Sequence, residues 1–519
     1  MTANDSGTGR WRAWAGSAAR RVRRASWVLL IVIPLIAGLW LAGWMREKQV
    51  RAVIMPDSIL YIQSARWFAA GQGVSRGEPG LLQPMTVKPP LYSVALGAGT
   101  MLGATAEGAA IVINWWSMGL VLLFIGLIVW RLSGSAAAGI VAQAITAVAW
   151  DFVRLQFHVL SEPLFLALMT GGIWALLEYL IRRRPVWLVL ASVMVGFSVL
   201  CRYTGISVVA GVAAWMVWRS PRRLKEAVVM CALGLGPLTL WVLPHLGDRR
   251  FGVGRVIDYY APKTIVLTNG LCTLGNFVAP HAGRVNACWL GFATIVFFAV
   301  GLLFRRTKLI ACMACSYLAF VLATLLFADY TLEFDTRLLM PVGVLLLVMV
   351  MVVLVQVVRS ASGWRYQATV AGVAALCLVN HTHACATISA AWLPKYAHWG
   401  RGYQSVDCAT SPVMTRLAQA PVDAVTVCGQ PEALHFLTGR VGLSVPVKAL
   451  SSDDPSVRRI DALLAGRQVV FVDMLALNTR PAWVGRLRMR RWFDLEPLAI
   501  EKDGALYWVK RRLGQYEDE

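Results

Sequence analysis

The feature that most constrains this chain is a succession of long apolar stretches separated by short blocks of arginine and lysine. A helix needs about 20 apolar residues to cross a bilayer. Of the 519 residues, 57% are hydrophobic, more than a soluble fold of this length could cover. Basic blocks between apolar stretches are typical of cytoplasmic loops. The sequence therefore predicts a polytopic α-helical membrane protein.

The formal net charge of +22 would also fit a nucleic-acid-binding protein. The basic residues, however, are spread over the short loops between apolar stretches and follow the positive-inside rule. Nucleic acid is therefore not an expected partner, whereas membrane lipids are. The blocks are Arg20–Arg24, Arg182–Arg184, Arg219–Lys225 and Arg305–Lys308, together with Arg359 and Arg365.

With these blocks placed inside, about eleven spans follow, with the N-terminus in the cytoplasm and the C-terminus outside. The first span follows a basic leader, but it contains Pro34 and no small-residue cleavage site follows it, so we expect it to remain uncleaved. The predicted spans are 27–45, 108–130, 134–150, 163–181, 186–201, 204–218, 226–246, 286–304, 309–328, 338–358 and 368–393.

Two neighbouring spans, 186–201 and 204–218, are too short for a full crossing. Their turn has the sequence Cys201-Arg202-Tyr203-Thr204-Gly205. We therefore expect Arg202 to lie below the outer surface or in a locally thinned part of the bilayer. An arginine there is costly unless it faces a polar cavity.

The composition changes after Leu393, where short β-branched runs such as 424–427 and 468–472 alternate with helical stretches such as 461–465. This pattern predicts a small extracytoplasmic α/β domain. The predicted division is a basic cytoplasmic segment, 1–26, a transmembrane domain whose outer loops hold the candidate functional residues, 27–393, and a soluble outer domain, 394–519. A run of arginines is expected on the solvated or headgroup-facing surface of that domain, with substrate binding as the alternative: Arg486, Arg488, Arg490 and Arg491.

Charged residues gather at the predicted outer ends of the spans. Taken singly, each is explained by an interfacial anchor or an ion pair. Together they supply a carboxylate that can take a proton from an acceptor hydroxyl and cations that can stabilise a leaving phosphate. They therefore favour glycosyl transfer from a phosphate-linked donor. The residues are Asp57, Lys88, Glu162, Arg202, Asp335 and Arg337.

Asp57 opens a segment with apolar residues at helical spacing, among them Ile59, Ile62 and Ala65, followed by Phe68 and Ala69. This spacing predicts an amphipathic helix that lies on the bilayer surface and holds Asp57 at the level of the headgroups.

The order of motifs along the chain resembles the GT-C superfamily of polyprenyl-phosphate-sugar-dependent glycosyltransferases. The similarity is greatest to the branch with protein O-mannosyltransferases and the lipid A aminoarabinose transferase. The resemblance extends to the outer domain, where the segments Pro421-Val422-Asp423-Ala424 and Leu437-Thr438-Gly439-Arg440 are similar to the outer domain of the family. The matching motifs are Pro56-Asp57 with Tyr61, Lys88-Pro89-Pro90-Leu91, Leu160-Ser161-Glu162-Pro163-Leu164, the Cys201–Gly205 turn, and Asp335-Thr336-Arg337-Leu338-Leu339-Met340-Pro341.

The resemblance implies transfer of a monosaccharide from a polyprenyl-phosphate donor to a cell-envelope glycan, a lipid-linked saccharide or a protein, outside the cytoplasmic membrane. The site has one candidate base and no second carboxylate placed to form a glycosyl-enzyme. The transfer is therefore expected to be a single displacement, which inverts the configuration at the anomeric carbon. The implied roles are general base for Asp57; donor-phosphate binding for Lys88, Arg202 and Arg337; and sugar or acceptor binding for Tyr61, Glu162 and Asp335.

The chain departs from the family pattern at two positions. Ser58 follows Asp57 where many relatives have a second acidic residue, and Val87 precedes Lys88 where metal-holding relatives have an acidic neighbour. A divalent metal is therefore not indicated, and no cofactor is predicted. His281 is a candidate metal ligand, but a lone histidine is more often a surface or hydrogen-bonding residue.

The ten cysteines match no zinc spacing. Cys312 and Cys315 lie within a predicted span, where packing explains them better than a redox role. Two pairs fall in segments placed outside the cytoplasm, Cys272 with Cys288 and Cys408 with Cys428. Either pair could form a disulfide, and the sequence does not choose between them.

A polyprenyl-lipid or sugar transporter, or a flippase, is the leading alternative from another class. Transporters place charges near the middle of the bilayer and contain repeated pairs of broken helices. Here the charges gather on one side, and only one short helix pair is evident in the sequence. The enzyme is therefore the favoured interpretation, ahead of transport and of a binding role in envelope assembly.

Overall fold

In the computed structural model the chain forms two compact units. The first comprises Met1–Gln49, Met85–Ala95 and Gly108–Pro394; the second comprises Val50–Pro84, Leu96–Glu107 and Lys395–Glu519. The structure describes residues 28–39, 43, 52–76, 82–245, 259, 264–280, 282–328, 332–399, 408, 410–421, 423–440, 442–445, 455–474, 486 and 489–512.

Helices account for nearly all of the described residues before position 400. They are α1 (Val28–Leu39), α2 (Pro56–Ala69), α3 (Leu91–Met101), α4 (Ala106–Ser133), α5 (Ala136–Val148), α6 (Trp150–Leu155), α7 (Glu162–Arg182), α8 (Pro185–Cys201), α9 (Gly205–Arg219), α10 (Leu224–Val242), α11 (Thr264–Asn276), α12 (Arg284–Gly301), α13 (Lys308–Phe327), α14 (Thr336–Ser360) and α15 (Trp364–Trp399).

Seven helices in the described part of the chain are long and apolar enough to cross a membrane: α4, α7, α10 with its flanking turns, α12, α13, α14 and α15. Five shorter apolar helices, α1, α3, α5, α8 and α9, accompany them. The prediction of a multi-pass helical membrane protein is confirmed. The number of about eleven spans stays a prediction, because four of the predicted spans fall on the shorter helices. The ends of the predicted span 27–45 lie outside the described residues.

The short pair α8 and α9 has 17 and 15 residues. Arg202, between them, has an extended backbone, and the chain reverses direction at Gly205. A Cβ atom at Gly205 would lie 2.8 Å from the Cα atom of Val199, so the turn requires glycine at this position. This tight turn explains how two helices below spanning length fit between the basic blocks Arg182–Arg184 and Arg219–Lys225.

The second unit contains strands as well as helices. After a hairpin of β1 (Ser75–Arg76) and β2 (Gln83–Pro84), its C-terminal elements are α16 (Pro412–Gln419), β3 (Val425–Cys428), α17 (Pro431–Thr438), β4 (Gly442–Ser444), α18 (Pro455–Leu464), β5 (Val469–Met474), β6 (Phe493–Glu501) and β7 (Gly504–Arg512). Five of these strands form a sheet with the order β4-β3-β5-β7-β6. The strands β3, β4 and β5 are parallel, and β7 pairs antiparallel with both β5 and β6. The predicted C-terminal α/β domain is thus confirmed, while its boundary at residue 394 stays a prediction.

One arginine of the predicted surface run has a structural role in this domain. The Arg486 guanidinium lies 2.9 Å from the carboxylate of Asp473, which is fully buried in β5. Arg486 is therefore partly solvated, with a side chain that is 38% exposed, and it also supplies the cation that a buried carboxylate needs. Arg490 and Arg491 are exposed as predicted, and Arg488 lies outside the described residues.

The helix α2 is also placed differently from the prediction. Its apolar residues Ile59, Ile62 and Ala65 are buried in protein. The helix contacts α17, and it approaches α3 so closely that a Cβ atom at Gly97 would lie 2.9 Å from the carbonyl oxygen of Ala65. The prediction that this apolar face lies on the bilayer surface is wrong, since protein covers the face.

The cysteine pair Cys272 and Cys288 forms a disulfide between α11 and α12. The two helices pack closely enough that a Cβ atom at Gly275 would overlap the backbone of Ala287. Cys408 and Cys428 are both buried, and a disulfide between them stays a prediction. The helix α11 lies between the predicted spans 226–246 and 286–304.

Candidate active site

A buried carboxylate stands at the centre of the candidate site in the first unit. The helix α7 begins at Glu162, and Pro163 occupies the second position, where its missing N–H leaves no helical bond unmade. The residue is only 2% exposed. An acidic side chain is favoured in the first turn of a helix, but a buried one still needs cationic partners.

Two arginines from different parts of the chain supply these partners. Nη1 of Arg202 lies 2.6 Å from Oε1 of Glu162, and Nε of Arg337 lies 3.3 Å from the same oxygen. Nε of Arg337 also lies 3.6 Å from Oδ2 of Asp335. Four of the residues chosen from the sequence are thus brought together, although they come from segments as far apart as residues 162 and 337.

Local hydrogen bonds position these side chains. The Asp335 carboxylate caps α14 by accepting the backbone N–H of Leu338 at 2.8 Å, which fixes Arg337 in the first turn. The hydroxyl of Tyr317 donates to the carbonyl of Leu338 at 2.8 Å. The end of α8 is held to the start of α7 by the Cys201 thiol, which donates to the carbonyl of Ser161.

Lys88 lies in the segment Met85–Ala95, which belongs to the same unit. This segment is anchored to the α8–α9 turn, because the hydroxyl of Tyr203 donates to the carbonyl of Thr86 at 2.8 Å. Lys88 lies two residues after Thr86 and is half-buried. The anchor therefore connects the lysine segment to the turn that carries Arg202.

Arg202 and Arg337 supply two positive charges next to the two negative charges of Glu162 and Asp335. Lys88 adds a third positive charge on the segment that Tyr203 joins to the α8–α9 turn. Guanidinium groups are suited to bidentate binding of phosphate. These residue types are therefore compatible with an anionic ligand, and their roles stay predictions.

A histidine that the sequence reasoning did not select lies beside the cluster. Burial lowers the pKa of His158 to about 4; the charges of Arg154 and Arg337 also lower it, while those of Glu162 and a backbone hydrogen bond raise it. Nδ1 lies 2.8 Å from the Arg154 carbonyl, so it is the ring nitrogen that carries the proton. The imidazole is therefore neutral at pH 7. In the sequence, only its position four residues before Glu162 pointed to His158 as a neighbour of the site.

Asp57 and Tyr61 belong to the second unit. Asp57 lies in the first turn of α2, directly after Pro56, and is half-buried. The hydroxyl of Ser58 accepts the backbone N–H of Met55 at 2.9 Å and so caps the start of the helix. Tyr61, one turn further, is 2% exposed. The catalytic role of Asp57 and the binding role of Tyr61 stay predictions.

No group of three or more histidine, cysteine, aspartate or glutamate side chains that could hold a metal ion occurs among the described residues. His281, which the sequence offered as a metal ligand, lies outside them.

The helix α7 carries a second buried glutamate, which provides a matched control. Glu178, near the other end of the helix, forms ion pairs with two arginines. Its Oε1 lies 2.5 Å from Nη2 of Arg131, and its Oε2 lies 2.6 Å from Nε of Arg182. Removing one partner of a buried ion pair costs up to about 3–5 kcal/mol. We therefore expect both Glu162→Gln and Glu178→Gln to lower the melting temperature of the purified protein.

Only Glu162→Gln should also lower sugar transfer per folded molecule, because only Glu162 orients arginines of the candidate site. Melting curves and transfer assays on both variants check this expectation. Equal losses of transfer in the two variants would show that Glu162 is a purely structural residue.

Comparison with known proteins supports the fold and the enzyme class. Residues 87–247, which include Lys88, Glu162 and Arg202, match the dolichyl-phosphate-mannose-protein mannosyltransferase family. ArnT from Cupriavidus metallidurans, solved bound to undecaprenyl phosphate, is 16% identical with a TM-score of 0.55, over 93% of this chain and 97% of that chain. This protein is a glycosyltransferase with the GT-C fold. The resemblance and the enzyme class predicted from the sequence are confirmed.

A second solved structure extends the comparison of this GT-C glycosyltransferase. The Archaeoglobus fulgidus oligosaccharyltransferase, solved in complex with zinc and sulfate, is 12% identical with a TM-score of 0.54, over 93% of this chain and 73% of that chain. No curated protein sequence matches the chain. At these identities the solved structures establish the fold alone, and the roles of individual residues stay predictions.

Proposed function

We propose that this protein transfers one sugar from a polyprenyl-phosphate donor to an acceptor hydroxyl on the outer side of the cytoplasmic membrane. The observation that carries the proposal is the position of Arg337. It joins the cationic cluster around Glu162, and the residue before it, Thr336, lines an apolar cavity that extends along α14. A phosphate and an apolar chain attached to it would require these two features side by side.

The cavity, named here the α14 cavity, has a volume of about 430 Å³ and lies among α5, α6, α14, α15 and the end of α11. Five of its seven lining residues on α14 are spaced three or four apart and therefore share one face of the helix, with Gly343 and Leu346 beside them: Thr336, Met340, Val344, Leu347 and Val350. At a rise of about 1.5 Å per residue this face runs for about 21 Å from the Arg337 end. Asp151 and His381 are polar members of an otherwise largely apolar lining.

The chemistry assigned to the site is a single displacement. The acceptor oxygen forms a bond to the anomeric carbon, while the bond from that carbon to the phosphate oxygen breaks. Asp57 takes the acceptor proton, and the polyprenyl phosphate leaves with the electron pair of the broken bond. Lys88, Arg202 and Arg337 stabilise the negative charge that develops on the phosphate. One displacement inverts the configuration at the anomeric carbon.

The contacts of Glu162 support a role different from the one expected from the sequence. Since its carboxylate binds both Arg202 and Arg337, we assign it to orienting these arginines rather than to binding sugar or acceptor. Asp335 has the corresponding function at the start of α14. The acceptor is a cell-envelope glycan, a lipid-linked saccharide or a protein. The undecaprenyl phosphate bound in the solved ArnT structure supports a polyprenyl phosphate as the lipid class.

The test is transfer of radiolabelled sugar in membranes that contain the protein, with polyprenyl-phosphate sugars and the corresponding nucleotide sugars as donors. Label should move into glycan, lipid-linked saccharide or protein from a polyprenyl-phosphate sugar only. Direct transfer from a nucleotide sugar would overturn the proposed donor class. Labelled lipid that crosses the bilayer without any transfer would instead establish a flippase.

Narrowing the α14 cavity should raise the KM for a long-chain donor. Val344→Trp fills part of the cavity, and Val357→Trp makes the same change on an exposed face of the same helix. If the tryptophan displaces two methylene groups of the lipid, at about 0.8 kcal/mol each, affinity falls about tenfold. We expect this increase in KM for Val344→Trp alone, and little change for a donor with a short prenyl chain. Equal KM values for long and short donors in this variant would place the lipid elsewhere.

A further inference from the structure

A second cavity lies in the α/β domain, between α16 and the strands β6 and β7. Its volume is about 540 Å³, within the range of small-molecule sites. On β7, Tyr507 and Val509 belong to the hydrophobic core of the domain, so Trp508 between them points to the opposite face of the sheet. This half-buried indole lines the cavity instead of the core.

The polar side chains that line the cavity with Trp508 are joined to one another by hydrogen bonds. Nε of Arg416 donates to Oε1 of Glu501 at 3.1 Å, and Nη1 of Arg416 donates to Oε1 of Gln419 at 3.3 Å. The Arg416 side chain is 55% exposed and that of Glu501 26%, so a ligand can reach both. These contacts use two of the five guanidinium donors and one oxygen of each of the other two groups.

This combination matches the chemistry of a carbohydrate. Sugar hydroxyls both donate and accept hydrogen bonds, and the set offers guanidinium donors, a carboxylate acceptor and an amide that is both. The apolar C–H face of a pyranose can stack on an indole ring, which combines a large apolar surface with a polar edge. The charges of Arg416 and Glu501 cancel, so an anionic ligand gains no net attraction. The exposed Ile500 adds apolar surface at the rim.

We propose that this cavity, lined by Trp508, Arg416, Gln419 and Glu501, is a carbohydrate-binding site that holds the acceptor glycan. Binding of carbohydrate is independent of the catalytic site, whereas the identification of that carbohydrate as the acceptor rests on the proposed function. The site gives the α/β domain a role in selecting the molecule that receives the sugar.

The binding test uses the full-length protein in detergent with maltotriose, mannotriose and galactotriose at millimolar concentrations, observed by saturation-transfer difference NMR. At least one trisaccharide should bind wild type and Trp508→Phe. Trp508→Ala and Arg416→Ala should bind it about tenfold more weakly or not at all. Lys510→Ala, which breaks an exposed ion pair to Glu496 on the same two strands, is the matched control and should bind normally. Melting temperatures establish that each variant is folded.

Absence of binding of all three trisaccharides to the wild type, or unchanged binding in a folded Trp508→Ala variant, would overturn the carbohydrate site. Transfer assays separate this outcome from failure of the proposed function. If Trp508→Ala raises the KM for the acceptor at unchanged kcat, both proposals stand. If the wild type binds saccharide but uses no polyprenyl-phosphate donor, the site stands and the proposed function falls. If sugar transfer occurs but the KM for the acceptor is unchanged in Trp508→Ala, the proposed function stands and the assignment of this site to the acceptor falls.

Discussion

Replacing Asp57 with asparagine is expected to lower the rate of sugar transfer by about 10²–10⁴-fold, the range that a general base contributes. The amide has nearly the same shape as the carboxylate but cannot take a proton from the acceptor. The fold should survive, because the start of α2 is capped by Ser58 and begins with Pro56. The melting temperature and the affinity for donor should therefore stay close to those of the wild type.

The measurement is the initial rate of transfer with saturating donor, together with donor affinity determined separately. Glu107→Gln is the matched control, because Glu107 lies in the same unit and pairs with Arg66 of α2 at an exposed position. It removes a carboxylate next to the same helix but should leave transfer unchanged. An Asp57→Asn variant that keeps more than about a tenth of the wild-type rate would exclude Asp57 as the base.

Replacing Arg337 or Arg202 with alanine is expected to lower kcat by about 10²–10³-fold, the loss typical of removing one group that stabilises developing negative charge. The charge on the leaving phosphate grows as the sugar departs, so the loss should appear in kcat and exceed the loss of donor affinity. Lysine should restore little activity at either position, because an ammonium group cannot reproduce the bidentate fork of a guanidinium.

Arg131→Ala is the control for the structural part of this loss. Arg131 contacts Glu178 as closely as Arg202 contacts Glu162, but at the other end of α7. We expect Arg131→Ala to lower the melting temperature and to leave kcat per folded molecule unchanged. If Arg131→Ala and Arg337→Ala lose activity in proportion to their loss of stability, the arginines near Glu162 have no role in catalysis.

The membrane class and the outer charged residues could be predicted because hydropathy and charge type are local properties of the sequence. Motifs at Glu162, Arg202 and Arg337 pointed to one region, and three-dimensional contacts place these residues together. The motifs did not predict which charges would pair. The sequence predicts that Glu162 binds sugar or acceptor, whereas its burial between two guanidinium groups supports the proposed orienting role.

Other features depend on which surface covers a side chain, and a single sequence does not contain that information. The apolar spacing of α2 is the same whether Ile59 and Ile62 face lipid or protein, so the predicted bilayer contact was wrong. Arg486 belongs to a basic run that looks solvated, yet it neutralises buried Asp473. Trp508 lies in an ordinary strand pattern, and its position in a cavity follows from the register of β6 and β7.

The helix α7 has a glutamate paired with two arginines near each of its ends, Glu162 and Glu178. In the proposed reaction the donor phosphate and Glu162 would both contact Arg202 and Arg337, so we expect an arriving donor to weaken the ion pairs that join the first turns of α7 and α14. The ion pairs of Glu178 lie at the other end of α7 and would not face this competition. On this proposal the substrate loosens one end of α7 while the other end stays fixed, and departure of the lipid phosphate lets Glu162 restore its ion pairs.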